Sequence, residues 1–254
     1  LIYNSVYCYT SSMRTSPHMK GVLFGALSAV AVATYLTVNR YVYLQTDGSA
    51  LAYAVLFTII SGIGAGIDMV LRRKVVDVSL LKAHKKGLVL VSVLAGSALA
   101  LFVAGQNFTS NTNVAMISTL IIVTTSFAAR IFLGAKLYTK QIIWAGILLV
   151  GVYLGILGLS LPILSFGDLL CVAGVILFGT QNALVKPLLA KIPNSVVVDF
   201  RMVLAGLIAL ALGFFFIDEM MVFIPVVGFA VVAAIAYYGG VIFFFKAINL
   251  IHPG

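Results

Sequence analysis

Eight polar side chains stand in or at the ends of long apolar runs: Tyr35, Asn39, Gln181, Asn182, Lys186, Arg201, Tyr237 and Tyr238. Their chemistry is that of recognition. Amides and hydroxyls exchange hydrogen bonds, and the two cations can neutralise an anion. Arg201 is the most informative single charge, since it lies about two helical turns inside its run. Asp199 is only two residues away, so on a helix the pair faces different sides. Three readings of Arg201 are open. It snorkels back to the interface, it pairs with Asp199 or another helix, or it contacts an anion or gates a cavity.

The other polar groups carry similar alternatives. Tyr35 and Asn39 close one run, and Gln181, Asn182 and Lys186 close another; they either line a site or bond neighbouring helices. One of Tyr237 and Tyr238 is expected to line a cavity and the other to pack, with Gly239 and Gly240 permitting close packing or a bend. Asp68 precedes Arg72 by four residues, which predicts an interfacial ion pair, with a proton-coupling carboxylate as the alternative. Thr124, Thr125 and Ser126 are expected to bond back to their own helix. Asn107-Phe108-Thr109 fits a glycosylation acceptor, but it falls hard against a run, which favours a chance tripeptide. No HExxH, P-loop, GxSxG or paired-carboxylate cluster is present, so no enzyme is expected. His18, His84 and His252 fall in terminal or loop positions, and Cys8 and Cys171 form no CxxC site. No cofactor or metal is implied.

The elements that position these groups are eight apolar stretches, at 21–38, 50–71, 87–105, 113–134, 142–160, 167–185, 195–217 and 222–246. A helix of roughly 18–25 residues crosses a hydrocarbon core of ~30 Å. Composition agrees, at 62% hydrophobic, 9% charged and a mean hydropathy of +1.16. A soluble chain carries roughly a quarter charged residues. The reading is an all-α, polytopic membrane protein in a lipid bilayer.

Basic residues fall on alternate sides of the runs. Arg14 and Lys20, the 72–86 loop with Arg72, Arg73, Lys74, Lys82, Lys85 and Lys86, then Lys136 and Lys140, Lys186 and Lys191, and Lys246 share one side. Arg40, with Asp218 and Glu219, marks the other. The positive-inside bias then predicts a cytoplasmic N-terminus in a plasma or inner membrane. The formal charge of +9 is scattered through short loops, so nucleic acid is not an expected partner.

An offset of 146 residues lays the start of the chain on its second half, matching Gly21 with Gly167, Thr34 with Thr180, Arg40 with Lys186 and Ser49 with Ser195. Tyr35 then aligns with Gln181. The offset spans five helices, an odd number, so the two copies are expected to be inverted relative to one another, as in secondary transporters. The domain reading is an extension over 1–18, a first repeat over 19–160 and a second, incomplete repeat over 161–254. On this reading a five-plus-five protein of about 300 residues shows here roughly eight of its ten spans. Gly62 and Gly66, and Gly151 and Gly155, have the spacing of close helix contacts, the latter pair with a homodimer in view.

These residues resemble the drug/metabolite transporter superfamily, in particular its EamA-like branch, over nearly all of Met19–Gly254. The resemblance is carried, in order, by Ala104–Asn111, Leu133-Gly134-Ala135-Lys136-Leu137, Gly167-Asp168-Leu169-Leu170, Phe200-Arg201-Met202 and Phe244-Phe245-Lys246-Ala247-Ile248. Ala135 stands where the family usually has Glu, and the common proline midway along the fourth helix is replaced by the Ile121-Ile122-Val123-Thr124 region. The resemblance implies a carrier of a small-molecule substrate, with a coupling ion or counter-substrate, working by alternating access. A nucleotide-sugar or sugar-phosphate antiporter, with Arg201 and Lys186 on phosphate, is the alternative within the superfamily. A membrane enzyme or non-transporting subunit is the alternative outside it.

Overall fold

In hydrocarbon every backbone N–H and C=O must find a partner within the chain, and apolar runs of this length meet that demand as helices. The computed structural model describes residues 17–71, 78–137, 139–157 and 165–251, and their regular elements are all helical. They are α1 (Pro17–Leu44), α2 (Ala50–Leu71), α3 (Val78–Asn107), α4 (Asn111–Thr119), α5 (Ile121–Leu133), α6 (Thr139–Leu157), α7 (Phe166–Leu189), α8 (Asn194–Gly213), α9 (Ile217–Met221) and α10 (Val227–Ile251). A single 3-10 turn, Ile224–Val226, leads into α10. The expected contributions of Arg14, Arg72, Arg73, Lys74, Cys8 and His252, and the far end of the 142–160 run, lie outside the described residues.

Among the described residues seven helical stretches are long and apolar enough to cross a membrane, one of them Asn111–Leu133, which comprises α4 and α5, and the described part of the 142–160 run, Thr139–Gly155, is a shorter apolar helix. Large apolar side chains such as Ile131, Trp144 and Phe215 are exposed on the outside of the bundle. Hydrocarbon contact suits such a surface and water does not. Three boundaries differ from the sequence expectation. Arg40 sits within α1, which continues to Leu44. Lys82, Lys85 and Lys86 belong to the first turns of α3 and not to a loop. The 113–134 run is two helices, broken at Leu120. There Ser118 Oγ donates to Ala115 O at 2.6 Å and Thr119 Oγ1 to Met116 O at 2.7 Å. The Leu120 N–H turns to Ile117 O at 3.0 Å. Hydroxyls bonded back onto the preceding turn bend a helix, so the break needs no proline.

The main packing pairs are α1 with α10, α3 with α7, and α2 with α8. Under the 146-residue offset α1 corresponds to α7, α2 to α8 and α3 to α10. The first two pairs therefore interchange and the third maps onto itself. At the α2–α8 crossing a Cβ on Gly62 would lie 2.7 Å from Gly206 Cα, and one on Gly206 would lie 2.8 Å from Gly62 Cα. Only glycine on both helices permits backbones this close. A Cβ on Gly151 would meet no atom beyond its own helix within 4 Å, whereas one on Gly155 would strike Met116 of α4. The core between α1, α2 and α10 is aromatic, with Tyr35, Tyr53, Phe57, Phe223 and Tyr237 all buried.

Candidate functional site

Capping sets the register of α7. Ser165 Oγ accepts from the Asp168 N–H, and Asp168 Oδ2 accepts from the Ser165 N–H, a reciprocal capping box. The other carboxylate oxygen, Oδ1, accepts from Thr109 Oγ1 at 2.6 Å and Asn113 Nδ2 at 3.2 Å. The start of α7 is thereby tied to the α3–α4 connection. Asn107 is buried and Thr109 is bonded to Asp168, so the acceptor tripeptide is folded into the bundle. At the same end Arg40 donates to Gln106 O at 3.1 Å and Asn107 O at 2.8 Å, capping the C-terminus of α3.

Within the bundle lies a cavity of about 350 Å³. Its walls come from α1, α3, the α4–α5 break, α7, α8 and α10. Of the residues singled out in the sequence, Tyr35, Gln181, Asn182, Arg201 and Tyr237 line it together. Arg201 is only 3% exposed, so it does not snorkel. Its guanidinium donates to Gln181 Oε1 at 2.9 Å and lies 5.3 Å from the centroid of the Phe245 ring. Arg201 Nε and Gln181 Nε2 are buried without a hydrogen-bond partner. The Tyr35 and Tyr237 rings meet edge-on at 5.1 Å. The remaining wall is mostly apolar, with Val32, Phe102, Phe178, Phe244 and Phe245 prominent.

Three of the singled-out residues sit elsewhere. Asn39 is fully buried, and its Oδ1 accepts from the Tyr53 hydroxyl at 2.7 Å. Lys186 is exposed in the last turn of α7. Tyr238 donates to Asp68 Oδ2 at 2.6 Å and also contacts Asp199 Oδ1. One tyrosine of the pair therefore faces the cavity, and its neighbour joins α10 to carboxylates of α2 and α8. Arg201 and Asp199 point apart, as two adjacent-but-one helical positions must. The part played by Ser28, whose hydroxyl donates to Gly240 O at 2.8 Å beside the cavity, was missed in the sequence. A serine amid alanines and valines gives no signal of its helix partner. Thr124 does more than bond back to Leu120 and Ile121, because it also donates to Val175 O of α7 at 3.2 Å.

Seven spanning-length helical stretches among the described residues, around a mostly apolar pocket that holds a few polar groups, define a polytopic, all-α integral membrane protein. The model of the EamA-like transporter family matches residues 19–157, more than half of the chain, and the chain belongs to that family. It is thus a membrane transporter of the drug/metabolite superfamily. No curated protein and no solved structure matches it.

Proposed function

We propose that this protein is a secondary transporter that moves a small organic solute by alternating access between its two inverted halves. The observation that carries the reading is the pocket itself. Polar groups from both repeats, Tyr35 from one and Gln181, Arg201 and Tyr237 from the other, converge on a cavity inside the apolar bundle. Ionisable groups inside a membrane are costly, by ~2.5–3.5 kcal/mol for a central charge on insertion scales, and they mark substrate paths. The interchange of α1–α10 with α3–α7 under the repeat offset supports a rocking motion of one half against the other. We infer from the lysine and arginine bias that the N-terminus and the start of α3 face the cytoplasm of a plasma or inner membrane.

The test is uptake into proteoliposomes of a pooled panel of amino acids, organic acids, sugars, nucleotide sugars and cationic drugs, with and without a pH gradient. Saturable uptake of one class that falls on Gln181→Ala supports the carrier. A folded, oriented protein that takes up no member of any class overturns it. A phosphate-exchanging antiporter gains no support from the geometry, because Lys186, its expected second cation, does not line the cavity.

A further inference from the structure

A guanidinium buried among helices needs a counter-charge or a full set of hydrogen-bond acceptors. Arg201 has neither. Among the described residues its hydrogen-bond acceptor is the neutral Gln181 amide oxygen, and its Nε has no partner. The nearest carboxylate in sequence, Asp199, is turned to Tyr238. The Gln181 Nε2 is a second buried donor without an acceptor, and it belongs to the same side chain that touches Arg201. Both residues line the cavity. Two unpartnered donors and one positive charge without a counter-charge among the described residues, on two side chains of the cavity wall, are what an anion would satisfy.

The rest of the wall narrows the class. Lys186 does not line the cavity, and among the described residues Arg201 is its single cationic side chain. One positive charge in a low-dielectric pocket balances one negative charge, and a dianion would bring a second that nothing there neutralises. The other lining groups are largely aliphatic and aromatic, which favours an apolar body. A volume of about 350 Å³ corresponds to about a dozen water volumes at ~30 Å³ each, the low end for small-molecule pockets. Resting on the transporter reading above, we propose that the cargo is a small organic monoanion, a carboxylate carrying an apolar body. Its carboxylate bridges Arg201 and Gln181 Nε2, and its body lies against Phe102, Phe178 and Phe244.

Binding and transport are measured separately on the full chain in lipid nanodiscs and in proteoliposomes. The probe is radiolabelled 3-phenylpropionate, with 3-phenylpropionamide and phenyl phosphate as competitors. The expected result is saturable binding of the carboxylate, displaced by neither competitor at equal concentration. Arg201→Gln is expected to weaken binding on the order of a hundredfold, as loss of a desolvated charge partner does. Gln181→Glu is the second variant, because it places a carboxylate on Arg201 without changing the shape of the pocket. It should remain folded and lose the probe to a similar degree. Equal displacement by the amide, tighter binding of phenyl phosphate, or unchanged affinity in a folded Gln181→Glu protein would each overturn the monoanion site. Carboxylate binding without uptake retains the site and refutes the carrier reading, whereas uptake of neutral or cationic solutes without carboxylate binding retains the carrier and refutes the monoanion.

Discussion

The Tyr238 hydroxyl stands between two carboxylates on different helices, Asp68 of α2 and Asp199 of α8. Replacing it with Phe removes the shared donor and leaves both acids facing a ring edge. Loss of a buried hydrogen-bond partner costs about 1–3 kcal/mol, and Tyr238→Phe is expected to lower the apparent melting temperature in detergent by several degrees. Asp199→Asn placed in the Tyr238→Phe protein should cost less than it does alone, since the two groups share one contact. Additive losses would argue that the contact carries no coupling. At this scale the sequence was informative where physics left few choices. A lone arginine two turns inside an apolar run must either escape or be enclosed, and it is enclosed. Tyr237 and Tyr238 had to face different ways, and they do. Which of the two would meet the carboxylates depended on the rotation of α10 against α2 and α8, and nothing in the sequence sets that angle. The rotation of α7 likewise decides that Lys186 lies outside while Gln181, five residues earlier, lies inside.

Helix contacts make sharper predictions than single hydrogen bonds. Gly62 and Gly206 meet backbone to backbone, so Gly206→Ala places a methyl group 2.8 Å from Gly62 Cα and forces α2 and α8 apart. A destabilisation of about 1–3 kcal/mol is expected from such overpacking, read as an earlier thermal transition. Gly151→Ala is the contrasting case. It meets no atom within 4 Å and removes a helix-interior glycine, so it should be neutral or stabilise by about 0.5–1 kcal/mol. If both variants melt alike, the crossing is not set by the glycines. The spacing of four drew attention equally to both pairs, because spacing reports a shared helix face and not what that face meets. The break at Leu120 escaped the sequence for a related reason. Serine and threonine hydroxyls bend a helix only when they turn back onto it, and that choice depends on whether the neighbouring helix offers an acceptor, as α7 does to Thr124.

For the molecule as a whole, the charge bias makes a prediction about sidedness. Lys85 at the start of α3 and Asp218 before α10 are both exposed. In a Cys8→Ser protein, whose Cys171 is buried, cysteines introduced at Lys85→Cys and Asp218→Cys should label with an impermeant maleimide from opposite faces, Lys85→Cys from the cytoplasmic one. Labelling of both from one face would refute the topology. The class of fold was legible from run length and composition alone, because hydrocarbon admits so few solutions. The identity of the cavity wall was less so, since it depends on how seven helices are rotated. The self-paired α2–α8 seam has a mechanical consequence. If the two halves exchange roles, α1–α10 and α3–α7 trade their packing for one another's, while a seam that maps onto itself has nothing to trade. The Gly62–Gly206 crossing is then the fulcrum, an axle that turns without being rebuilt. Each end state would then reuse, on the opposite side of that axle, the α1–α10 and α3–α7 packing of the other.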